Sequence, residues 1–141
     1  MKKIFLSITT MILLTSCGVS SDSKKPVLSE QELINSFEGV RSKFKNVFEN
    51  PTDDSQERLK ILNDSLVYFV DMLKRDFPKS KELPELLCRA GISSLNAKDS
   101  EKALAYLNFL VDSFPNHKII PQSMYFIGRT KEVLVKDIAA A

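Results

Sequence analysis

The residues whose side chains could do chemistry on another molecule are few. The chain carries two cysteines, Cys17 and Cys88, and one histidine, His117. Cys88 lies between Leu87 and Ala90 in a run with helical apolar spacing, where free cysteine behaves as a small buried hydrophobe. A catalytic thiolate needs a base, and His117 belongs to a polar turn behind Phe114-Pro115-Asn116. A zinc site needs three or four ligands, and the sequence gathers none into a group. Asp53-Asp54 read as charges at a helix start, which the helix dipole favours, and not as an acid/base pair. Lys24, Lys25, Lys43 and Lys45 read as solvated charge. There is no Gly-rich phosphate loop and no Gly-x-Ser-x-Gly elbow. The sequence therefore predicts no enzyme, no metal, no cofactor and no small-molecule substrate. The two cysteines sit in settings too different to predict a disulfide.

Cys17 ends a distinct N-terminal segment. Lys2-Lys3 supply a positive start, and Ile4 to Leu14 an apolar stretch too short for the roughly 20 residues that span a bilayer. Leu14-Thr15-Ser16-Cys17 resembles the lipobox of bacterial lipoproteins, an apolar residue and two small ones before Cys. The resemblance implies cleavage after Ser16, a thioether-linked diacylglycerol on Cys17 and a further acyl chain on its amine. Two or more chains hold a protein stably at a membrane where one does not. Residue 18 is Gly and not the Asp that retains such proteins in the inner membrane, which makes the outer membrane the expected location, facing the periplasm. Residues 1–16 then form the signal peptide and 17–28 the lipidated Cys and a flexible tether.

Length and composition describe one folded domain, with 43% hydrophobic and 27% charged residues over 141. Removing Lys2 and Lys3 with the signal leaves 18 Lys+Arg against 18 Asp+Glu. A neutral mature chain offers no basic field for nucleic acid.

The elements that would position any site come from repetition. Phe77-Pro78 recurs as Phe114-Pro115, Pro84 as Pro121, Gly91 as Gly128 and Ala103 as Ala140, each 37 residues on. A fixed period in this range marks stacked supersecondary units, and helical apolar spacing makes each unit a helix pair. Expected helices run from about Leu83 to Ala97, from Glu101 to Phe114, and from Pro121 to about Val135, with a fourth starting near Asp137. Ahead of them, residues 29–76 read as an N-terminal pair serving as a cap or degenerate repeat. Ser29 and Glu32 open it with a capping box, Gly39 permits close packing, and Thr52 or Asp53 caps its second helix.

The repeat resembles the tetratricopeptide repeat (TPR). Leu87, Ala90 and Gly91 stand for that family's first-helix positions, and Ala103, Leu107, Leu110 and Pro115 for the second; Met124, Ile127, Gly128 and Ala140 follow one period later. Ser94 and Lys131 replace the family's tyrosine, and the period exceeds the family's by three residues. The resemblance implies an all-α fold of antiparallel helix pairs stacked as a short TPR-like right-handed solenoid, with residues 77–141 as repeats, the last incomplete. Aromatic-Pro loops behind a lipobox further resemble barrel-assembly lipoproteins and repeat proteins of the Tol-Pal system. The implied function is a membrane-anchored scaffold or adaptor lipoprotein that binds another protein of the cell envelope. The alternative is a structural subunit of an outer-membrane barrel-assembly complex. First helices would line a concave groove, placing Glu85, Cys88, Ile92 and Leu95 beside Gln122, Tyr125, Arg129 and Glu132. Of these, Glu85, Ile92, Tyr125, Arg129 and Glu132 are the candidate protein-binding residues. Because the counterparts of Leu107, Leu110 and Phe114 would fall beyond Ala141, the expectation is a fragment of a longer repeat protein, the alternative being a partner that covers that face.

The anchor is directly testable. Cys17→Ser should leave the protein soluble or as an uncleaved precursor, and radiolabelled palmitate entering the variant would overturn the lipid assignment.

Overall fold

The computed structural model describes residues 28–139; the expectations for residues 1–27, lipid on Cys17 among them, and for residues 140 and 141 lie outside the described residues. The described residues are all-α, in five helices: α1 Glu30–Glu49, α2 Ser55–Asp76, α3 Leu83–Asn96, α4 Ser100–Ser113 and α5 Ile120–Ala139.

Local sequence explains most of the boundaries. At α1 the Ser29 hydroxyl accepts from the Glu32 amide, and the Glu32 carboxylate accepts from the Ser29 amide at 2.8 Å, so two orphan donors are satisfied reciprocally. Pro51 keeps α1 from continuing. Neither Thr52 nor Asp53 caps α2: Asp54 holds the cap position without a side-chain bond, and the Thr52 hydroxyl donates to Asp54 at 2.6 Å. Pro84 occupies the first turn of α3, where its missing N–H costs nothing. Asp99 caps α4 by accepting from the Lys102 amide at 3.0 Å. Two helix ends 37 residues apart share a backbone conformation. Phe77 ends α2 with φ −131° and ψ 58°, and Phe114 ends α4 with φ −133° and ψ 50°. Both rings pack half-buried against the core.

The repeat fails at one place. The expected break after Val135 is absent, and α5 runs on to Ala139. The turn after α3 passes through Lys98, which holds φ 62° in the left-handed region. One period later that position is Val135, and a β-branched residue adopts the left-handed conformation at a steep steric cost. No Gly or Asn stands nearby to replace it, and the helix continues.

Packing follows chain order. α1 packs on α2, α2 on α3, α3 on α4 and α4 on α5, with a slight contact between α3 and α5. Leu33, Phe37, Leu66, Val70, Leu73, Leu83, Leu87, Leu107 and Leu110 are almost fully buried along these joints. Between the pairs, Ser94 donates to Asn63 at 3.2 Å in a buried bond, and Gln56 donates to the Ala97 carbonyl at 3.0 Å. Tyr106 donates to Asp71 at 2.8 Å and Lys102 to Asp64 at 2.9 Å, tying α4 to α2.

Gly91 marks the tightest crossing. A Cβ placed there would stand 2.6 Å from Cγ of Leu107, itself fully buried, and 3.4 Å from the Ala103 carbonyl oxygen. Gly39 and Gly128 differ: a Cβ at either meets nothing within 4 Å. Gly39 therefore does not serve close packing, and no helix among the described residues crosses Gly128. Gly91→Ala should thus cost about 1–3 kcal/mol by overpacking. Gly39→Ala and Gly128→Ala should each stabilise by about 1 kcal/mol through helix propensity. Thermal melting of the three variants checks both signs.

Candidate functional site

α1 and α3 face the same side of the stack with a cleft of about 380 Å³ between them. Arg41, Phe44, Lys45 and Phe48 line it from α1, at the three- and four-residue steps that share one helix face. Glu85, Cys88, Arg89, Ile92, Ser93 and Asn96 line it from α3, with Ile119 and Gln122 closing one side.

The wall positions follow from burial elsewhere. α1 turns Leu33, Phe37 and Val47 into the core, and Phe48, next to Val47, emerges 50% exposed at the cleft. α3 buries Leu83, Leu87 and Ala90 and leaves Ile92 half-covered at the cleft floor.

A ladder of charge crosses the upper end. Glu38 of α1 receives Arg41 at 3.2 Å and Arg89 of α3. Arg89 also reaches Glu85 at 3.6 Å, and Glu85 takes Lys118 at 3.0 Å from the turn before α5. Lys118, and secondarily Arg89, hold the Glu85 carboxyl below the ordinary carboxylate range. Lys45 sits apart, 3.7 Å from Glu49 and well exposed.

Cys88 is buried, and the Ser123 hydroxyl donates to its sulfur at 3.5 Å. Burial pushes its thiol up, so at neutral pH it is protonated and packs as an apolar group. His117 accepts the Ile119 amide at 3.3 Å on Nδ1 and shapes the turn into α5. Among the described residues no group of three His, Cys, Asp or Glu could hold a metal ion, and no helix is long and apolar enough to cross a membrane.

Of the residues picked out by sequence, Glu85 and Ile92 line the cleft, with Cys88 and Gln122 beside them. Tyr125, Arg129 and Glu132 do not. Tyr125 is 62% exposed on α5, and Glu132 is engaged by Arg129 at 2.7 Å and Lys136 at 3.0 Å along the same helix. Sequence reasoning missed Arg41, Lys45 and Phe48, because it assigned residues 29–76 to a cap or degenerate repeat and read Lys45 as solvated charge. The available signal was that Phe48 follows Val47 and points about 100° away from it.

No protein-family model matches this chain, and no curated protein or solved structure shows significant similarity to it.

The lowered Glu85 carboxyl carries a pH signature. Its stabilising contribution is fully present above the unfolded value, near 4.5, and is lost as pH falls through the lower folded value. Glu85→Gln should accordingly flatten the acid-side fall in stability below about pH 4.5, read as urea midpoints across pH 3–6.

Proposed function

We propose that this chain is a TPR-like adaptor lipoprotein of the bacterial cell envelope, held by lipid on Cys17 and binding another envelope protein through the cleft. The observation that carries the binding half is the arrangement of α1 and α3. α2 packs on both α1 and α3, and α1 and α3 together line one cleft, which supports a TPR-like reading. Its volume lies within the range of ordinary ligand pockets, about 300–1,000 Å³. The lining offers apolar surface, amides and charge but no nucleophile–base pair, which suits holding a segment and not transforming it. The anchor half rests on Leu14-Thr15-Ser16-Cys17. Tethering raises the effective concentration of a weak binder near envelope partners, and a modest cleft then suffices.

The exposed Met124, Tyr125 and Val135 on α5 favour a second reading, a structural subunit of an outer-membrane barrel-assembly complex held by a broad apolar contact. In-cell photo-crosslinking separates the two. A photo-reactive residue replacing Ile92 should capture envelope proteins, while one replacing Ile61, exposed on α2, should not. Capture of one stoichiometric partner from position 124 and none from position 92 would instead support the second reading.

A further inference from the structure

We infer that the cleft is built for an extended peptide carrying an acidic side chain two or three residues from a large apolar one. This rests on the cleft-binding reading above and adds the chemistry of the occupant. Charge supplies the first half. The lining residues include three cations, Arg41, Lys45 and Arg89, against one acid, Glu85. The acids on the ladder are already engaged: Glu38 by Arg41 and Arg89, Glu85 by Arg89 and Lys118. The cations are not saturated. An Arg guanidinium carries five N–H donors, and each of these two arginines meets only one or two carboxylates. Lys45 reaches Glu49 only at 3.7 Å, beyond a hydrogen bond. An arriving carboxylate finds free donors, whereas an arriving cation must displace one already paired.

Position supplies the second half. The Glu38–Arg89 pair fixes the register of α1 against α3. From Arg89 toward the end of α3 come Ile92 and Asn96; from Glu38 along α1 come Arg41, then Lys45, then Phe48. The cationic end and the apolar end, Phe48 with Ile92, therefore stand about 5–10 Å apart along the helix axes, at 1.5 Å per residue. An extended chain covers that in two or three residues at about 3.3 Å each. Asn96 and Gln122 add amides that can both donate to and accept from a peptide backbone.

The test is an unbiased selection. The full chain, purified in detergent, is panned against random displayed heptapeptides, and selected peptides are measured by fluorescence anisotropy. Enrichment of Asp or Glu two to three positions from Phe, Leu or Ile is expected. Binding should weaken about tenfold or more with Arg41→Glu/Lys45→Glu and fall with added salt. Phe48→Ser should weaken it comparably, and Tyr125→Ser should leave it unchanged. Phe48, Lys45 and Tyr125 are exposed, and circular dichroism melts verify that each variant folds. Enriched peptides without an acid, or binding indifferent to Phe48→Ser, would overturn the inference while leaving cleft binding standing. No enrichment at all would overturn both.

Discussion

The crossing of α3 over α4 at Gly91 is the contact on which the rest of the stack depends. Leu107 fills the space a side chain at 91 would need, so the two helices approach as closely as backbone and one side chain allow. That approach aligns Leu87 and Ala90 with Leu107 and Leu110 in a single buried layer. α2 then packs on α3 from one side and α5 on α4 from the other. Were α3 displaced from α4 by even a methylene, it would shift against α2 and disturb the Asn63–Ser94 bond on its other side. A buried amide left without its partner costs about 1–3 kcal/mol beyond the lost packing. Geometry at one glycine and hydrogen bonding at the neighbouring joint are therefore coupled.

Polar ties on the two sides of the stack do different work. On the α2–α4 side, Tyr106 with Asp71 and Lys102 with Asp64 bridge neighbouring pairs, while Lys74 lies 4.9 Å from the Phe109 ring centre. Burial and the Asp71 bond together push the Tyr106 hydroxyl up, keeping it a donor at any ordinary pH. On the α1–α3 side the ties are ionic and half-exposed, where each pair adds about 0–1 kcal/mol. Such pairs set register more than stability. The α2–α4 side is thus braced, and the cleft side is held at one rung and otherwise open.

Much of this was legible in the sequence, and the reasons are specific. Helix starts at Ser29, Pro84 and Asp99 follow local cap chemistry, which depends on three or four neighbouring residues. The Gly91 crossing and the matching ends at Phe77 and Phe114 follow from the 37-residue period. The end of α5 did not, because periodicity predicts equivalent positions and not equivalent residues: Val135 cannot do what Lys98 does. Asn63 was missed for a related reason. A polar residue on an apolar face reads as a helix edge until a partner such as Ser94, 31 residues away, is in place to satisfy it.

The cleft was half legible, since its α3 wall lies inside the repeat and its α1 wall outside it. Glu85 and Ile92 were found by counting within the repeat, but Phe48 lies in a pair that shares none of its landmarks. α1 meets the cleft through α2, which packs on both α1 and α3 and leaves them bridged by side chains. The Glu38–Arg89 pair is the measure of that distance. Two parallel helices packed directly would bury their facing residues and leave no cleft. Held apart by a helix packed behind both, they keep Phe48 and Ile92 accessible while Phe44 stays buried beneath. The same packing that closes the core on the α2 side therefore leaves the cleft open on the other.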